Sequence, residues 1–118
     1  MHDLAPDIVR QRLLIEGYFD RDVDEEAIRG FFSTLTDGMR LRAYGAPTIF
    51  APEGAGREEN EGYDAFVPLI DSGISLYVWS RPRFLSVVMF TCKRFETEQA
   101  VAIAKEFFRM PVVEYAEF

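Results

Sequence analysis

The stretch PLIDSGISLYVWSRPRFLSVVMFTC, Pro68 to Cys92, decides the fold. Ile74, Leu76 and Val78 alternate with Ser75, Tyr77 and Trp79, and Leu85, Val87 and Met89 oppose Phe84, Val88 and Phe90. An apolar period of two is the pattern of a strand. Asp71-Ser72-Gly73 and Ser80-Arg81-Pro82 are rich in turn formers, so tight turns are predicted at both. Tight turns force antiparallel neighbours. Apolar residues on both faces predict a strand pair covered twice, by helices on one side and by a partner surface on the other.

Upstream, Arg12 to Tyr18 reads as a strand with Leu13 and Ile15 on one face and Leu14 and Glu16 on the other. A carboxylate inside an apolar strand marks Glu16 as a site candidate, against the plainer reading of a rim position in water. The acidic run Asp20 to Glu26 fails as a calcium loop, because Glu25 and Phe31 stand where glycine and glutamate are needed. It suits a helix start, with Asp22 or Asp24 as cap and acids at the positive end of the dipole. Ala27, Ile28, Phe31, Phe32 and Leu35 then form a helical stripe, and Asp37-Gly38 is read as its end.

Leu41 to Phe50 reads as a strand interrupted near Gly45 and Pro47, and Ala51 to Gly62 as a long polar loop that covers a site. Gly54-Ala55-Gly56 lacks the third glycine and following helix of a phosphate cradle. Tyr63 to Ile70 is a further strand. Thr97 is read as the cap of a second helix burying Ala100, Ile103, Ala104, Phe107 and Phe108; Pro111 stops it, and Val112 to Phe118 is the last strand. The order β-α-β-β-β-β-α-β predicts an α+β fold, an antiparallel sheet with two helices packed on one face.

A chain of 118 residues suits one domain, 1–118, with residues 1–9 as a flexible tail. Thirteen basic against twenty acidic residues, net charge -7, argue against nucleic acid and anionic membrane surfaces. No apolar run is long enough to span a bilayer, and the first residues lack the apolar core of a secretory signal; a cytoplasmic location is expected. The lone Cys92 excludes an internal disulfide framework, and the single histidine, His2, excludes a histidine-based metal site or triad.

The run Asp71-Ser72-Gly73-Ile74-Ser75-Leu76-Tyr77-Val78-Trp79-Ser80-Arg81, followed by Phe90-Thr91-Cys92-Lys93, resembles the prokaryotic S-adenosylmethionine decarboxylases. That family carries Glu-Ser-His-Ile-Ser-Ile-His-Thr-Trp-Pro-Glu and then Phe-Thr-Cys-Gly. RLLIEGYFD resembles its first strand, and the element order agrees from about Arg12 onward, outside the stretch from Thr48 to Gly62.

The resemblance implies a lyase of polyamine (spermidine) biosynthesis that makes its own pyruvoyl group. The serine attacks the carbonyl before it, a histidine removes the serine's α-proton, and elimination breaks the chain; a cysteine is the proton donor in turnover. By position Ser72 is the pyruvoyl precursor and Cys92 the donor. Tyr77 replaces the histidine base, Gly73 a second histidine, Asp64 a serine that assists processing, and Arg81 the glutamate that holds the ribose hydroxyls. Asp71 and Trp79 complete the expected binding set with Glu16. A phenol near pKa ~10 is a poor base at neutral pH. A guanidinium in place of a carboxylate reverses charge and hydrogen-bond polarity, favouring a ligand carboxylate or phosphate over a sulfonium.

Plainer readings stand beside these: Ser72 as a turn residue, Cys92 as a small hydrophobe, Tyr77 and Trp79 as interface rings, and Arg81 as a surface turn residue. Three functions follow. The first is a diverged, uncleaved homologue that binds a small carboxylate- or amine-bearing ligand in a pocket of Ser72, Tyr77, Arg81 and Cys92, with neither cofactor nor metal. The second is an active pyruvoyl decarboxylase of S-adenosylmethionine or another amino acid. The third is a non-catalytic regulatory or dimerising partner. By resemblance, a homodimer is expected.

Overall fold

The structure, a computed structural model, describes residues 1–51 and 61–118. The loop read from Ala51 to Gly62 lies, over 52–60, outside the described residues. The elements run β1 (Gln11–Tyr18), α1 (Glu25–Met39), β2 (Thr48–Phe50), β3 (Gly62–Leu69), β4 (Ser72–Trp79), β5 (Phe84–Thr91), α2 (Thr97–Phe108) and β6 (Val112–Glu117). All strands join one antiparallel sheet in the order β2-β3-β4-β5-β1-β6. The predicted class and order are those observed.

One face of the sheet is the core. Leu13, Ile15, Val67, Ile74, Leu76, Leu85, Val87 and Met89 are nearly solvent-free against Ile28, Phe31 and Leu35 of α1 and Ala100, Ala104 and Phe108 of α2. The Phe31 and Phe108 rings hold the two helices together, with centroids 4.5 Å apart. The Asp24 carboxylate caps α1 by accepting the Ala27 N–H at 2.8 Å, as one of the two predicted caps.

Four local readings need correction. First, α1 does not stop at Asp37-Gly38; it ends at Arg40, in the left-handed region with φ 56°, where the Leu41 N–H closes on Thr36 O at 2.8 Å. Gly38 serves helix contact instead of helix termination, since a Cβ there would stand 2.8 Å from Ile103 Cδ1 of α2. Second, the strand read from Leu41 to Phe50 shrinks to Thr48–Phe50, leaving one bridge from Ala43 to Leu69. Gly45 and Pro47 break the ladder between the two, the proline having no N–H to give.

Third, the turns sit elsewhere. Ile70 and Asp71 make the first, so Ser72 and Gly73 already belong to β4; the second spans Ser80 to Arg83. Fourth, Thr97 does not cap α2. Glu96 holds that position without a side-chain bond, and the Thr97 hydroxyl instead donates to Glu117 and accepts from Gln11 Nε2 at 3.3 Å. In the stretch read as a flexible tail, the Asp3 carboxylate and the Ala5 carbonyl accept from Arg10. The Ala5 N–H above all, with Arg10 behind it, holds the Asp3 carboxyl below the usual carboxylate range.

Among the described residues, no helix packs on the second face of the sheet. Tyr18, Phe50, Phe66, Tyr77, Phe90 and Val112 are all exposed, with Leu14, Trp79, Phe84 and Val88 half-buried among them. The apolar alternation on both faces therefore has a physical counterpart: one face is buried by the two helices, and the other is uncovered among the described residues.

Candidate functional site

The Ser72 end of the sheet is built by the β3–β4 hairpin and the exit of β5. Leu69 pairs with Ser72, and Ser72 with Thr91, which leaves Ile70 and Asp71 to turn the chain. Ser72 takes φ 126°, a conformation L side chains rarely adopt, so its backbone is strained by roughly 1–3 kcal/mol. The Cys92 N–H donates to the Asp71 carbonyl at 2.8 Å. That carbonyl belongs to the peptide joining Asp71 to Ser72, so the group a serine hydroxyl would attack is polarised by an amide held by Cys92.

Asp71 is only 7 % exposed; one carboxylate oxygen lies 3.8 Å from Arg42, and the other is buried with no donor among the described residues. Thr91 commits its hydroxyl to the Lys93 carbonyl at 2.7 Å, and Lys93 Nζ donates to Arg40 O at 2.8 Å. Ser72, Asp71 and Cys92 thus form one cluster. Arg42 joins it although it drew no notice in the sequence. It arrives because the segment after α1 runs beside the end of β3, with the Ile70 N–H donating to Arg42 O at 2.8 Å. No local motif announces such a placement.

Gly73 opens onto the bare face. A Cβ there would meet the Phe66 ring at 2.6 Å, so the phenyl group of β3 lies where a side chain at 73 would begin. On the same face, further along the strands, register lines up Asp64, Tyr77, Ser86, Glu16 and Glu114 across five strands. The Ser86 hydroxyl donates to Glu16 at 2.5 Å. Glu16 therefore belongs to a polar row that crosses an apolar face. Ser86 and Glu114 were missed because each looks ordinary within its own strand; only the pairing puts them beside Glu16.

The expected set does not converge within one chain. At about 3.3 Å per residue, Tyr77 lies roughly 16 Å from Ser72 and Trp79 roughly 23 Å from it. Trp79 packs on Phe84 with centroids 5.6 Å apart, and Arg81 lies in the turn beyond, at the opposite end of the sheet from Cys92. The expected pocket of Ser72, Tyr77, Arg81 and Cys92 therefore is not formed by one copy: Ser72 and Cys92 meet, and Tyr77 and Arg81 stand apart from them. Among the described residues, no three His, Cys, Asp or Glu side chains gather as metal ligands, and no helix is long and apolar enough to cross a membrane.

A single antiparallel sheet backed by two helices, with a strained serine beside a cysteine at a hairpin, defines an α+β protein of the decarboxylase type in its architecture. The chain belongs to the S-adenosylmethionine decarboxylase family, whose model matches residues 13–118. Its fold is similar to the crystal structure of the adenosylmethionine decarboxylase from Aquifex aeolicus VF5, with a TM-score of 0.72 and 16 % identity, over 94 % of this chain and 89 % of that one. A search of curated proteins finds no match.

The strain at Ser72 is directly testable. Ser72→Gly removes the Cβ that opposes a positive φ, partly offset by the greater freedom of glycine when unfolded. We expect a gain of about 1 kcal/mol in stability by urea denaturation; an unchanged or lower midpoint would mean that the residue is unstrained.

Proposed function

We propose that this protein is a diverged member of the family that keeps Ser72 as an ordinary serine and acts in the cytoplasm as a homodimer. It binds a small carboxylate- or amine-bearing ligand between two bare sheet faces. The observation that carries this reading is the bare face itself: exposed rings surround the polar row of Asp64, Tyr77, Ser86 and Glu16, which is the make-up of a ligand site closed by a second apolar surface. Two copies stacked with strands reversed would set Ser72 and Cys92 of one beside the partner's Tyr77 and the partner's Arg81. Spacing supports this, since the two halves of the expected site lie at opposite ends of β4.

The fit of this chain to a pyruvoyl group is incomplete. When present, that group acts as an electron sink for an amine substrate. Its precursor position suits Ser72. The α-proton of Ser72, however, has no imidazole to accept it, because the one histidine is His2 at the chain's start. The partner's Tyr77 would offer a phenol where that chemistry calls for an imidazole.

A second reading, a pyruvoyl-dependent decarboxylase of S-adenosylmethionine or another amino acid in polyamine biosynthesis, is favoured by one observation. The Asp71–Ser72 peptide is both strained and polarised, as a bond poised for serine attack should be. Intact-mass analysis of the purified protein separates the two. A single species with the mass of the whole chain is expected. Two fragments divided between Asp71 and Ser72, the second starting with a keto group, would establish the decarboxylase and end the first reading.

A further inference from the structure

The uncovered sheet face carries opposite charges on a single strand. Arg12 and Glu16 belong to the same face of β1, Arg12 paired with Phe90 and Glu16 with Ser86 of β5. At about 3.3 Å per residue they stand roughly 13 Å apart, too far to pair within one chain. Glu114 of β6 lies directly opposite Glu16, and like charges so placed repel. Among the described residues neither glutamate has an ion-pair partner; Ser86 donates to one oxygen of Glu16. Arg12 is half-buried beside the Phe118 ring, 5.8 Å from its centre. Asp3 accepts from the Ala5 N–H and from Arg10, and reaches Arg12 only through its field.

Reversing one sheet over another brings the two charges together. Between the Arg12 row and the Glu16 row runs a row without charge: Phe66, Ser75, Val88, Leu14 and Ala116. A twofold axis along that row, midway between two stacked faces, sets Leu14 against the partner's Leu14. It also sets Arg12 against the partner's Glu16, and Glu16 against the partner's Arg12. Stacked sheets lie about 10 Å apart, a gap that a guanidinium and a carboxylate side chain bridge end to end. Moving the axis one row toward Glu16 sets that carboxylate against its own copy, and one row the other way does the same to Arg12. We infer that two copies dock about the Leu14 row, each Arg12 meeting the partner's Glu16 and the partner's Glu114, and that these charges fix the direction and register of the stack. This rests on the homodimer proposed above and adds its register. It also supplies the cation that carboxylates need once water leaves the interface.

The test is charge reversal in the full chain. Arg12→Glu and Glu16→Arg each set like charges face to face, so each alone is expected to dimerise about thirtyfold more weakly, or worse, by sedimentation velocity. An equimolar mixture of the two restores both pairs, and native mass spectrometry should find dimers with one chain of each. An unaltered dimer whose affinity survives both substitutions, or variants that stay monomeric when mixed, would overturn the inference and leave the dimer reading standing. A monomer for the unaltered protein would defeat both. Should either reversal unfold the chain by circular dichroism, Arg12→Gln, Glu16→Gln and their double variant decide instead. Dimerisation losses smaller in the double than the sum of the singles are expected, and losses that simply add would overturn the pairing.

Discussion

Phe31→Ala is expected to lower the unfolding free energy by about 3–5 kcal/mol, the usual cost of removing a fully buried ring. Phe31 has no exposed surface, and its ring lies 4.5 Å from Phe108, 5.6 Å from Phe107 and 5.9 Å from Phe32, centre to centre. It is therefore where α1 meets α2, within the core that both helices share with the sheet. Backbone helices cannot close over the space left behind without moving apart, so the cavity adds to the lost burial. Against a total stability of roughly 5–15 kcal/mol, the loss is large enough to unfold much of the protein near 37 °C. Urea denaturation should show the midpoint falling with the slope unchanged, and Phe31→Leu should lose much less. A loss under about 1 kcal/mol would mean that the helices are not joined through this ring.

Val88→Glu is expected to leave the single chain folded and to separate the proposed dimer. Val88 sits in β5 on the bare face, paired with Ser75 on one side and Leu14 on the other, one row away from Glu16. In one chain the new carboxylate points to water and costs little. Between two stacked faces it would be buried without a cation opposite, which costs about 3–5 kcal/mol, or more than a hundredfold in dissociation constant. Sedimentation velocity should find a dimer for the unaltered protein and a monomer for Val88→Glu at the same concentration, with similar circular dichroism. A dimer of unchanged affinity would place the interface elsewhere and remove the basis for a shared ligand site.

How legible the molecule was depends on how local each signal is. Alternation from Ile74 to Phe90 depends only on neighbours along the chain, and it placed every core side chain of β4 and β5 on the right face. The stripe of α1 was as plain, because 3.6-residue spacing is also a local property. Gly38 misled because a glycine suits two purposes, ending a helix or letting another approach, and only Ile103 of α2 decides which. Thr97 misled for a similar reason: its hydroxyl had the choice of its own helix or of Glu117, and took the latter.

The site divides along the same line. Ser72, Asp71 and Cys92 were singled out by their positions in the resemblance, and the β4–β5 hairpin, a local element, brings them to one end of the sheet. Arg42, Ser86 and Glu114 were not found, because their neighbours come from strands or segments distant in sequence. Tyr77 and Arg81 were placed in one pocket with Ser72 because the resemblance puts them at the positions of a base and of a ribose-holding carboxylate. An extended strand turns five residues into roughly 16 Å, so closeness in sequence became distance in space.

By itself the sequence determined the class of fold, the membership of the chain in its family, and the apolar make-up of both sheet faces. These follow from side-chain period, turn chemistry and motif spacing, all properties of residues near one another in the chain. Only the tertiary structure decided that one apolar face is uncovered among the described residues, that the Asp71 carbonyl meets the Cys92 amide, and that the two halves of the expected site lie at opposite ends of a strand. Those depend on strand order and register, which arise from contacts between residues that the chain holds far apart.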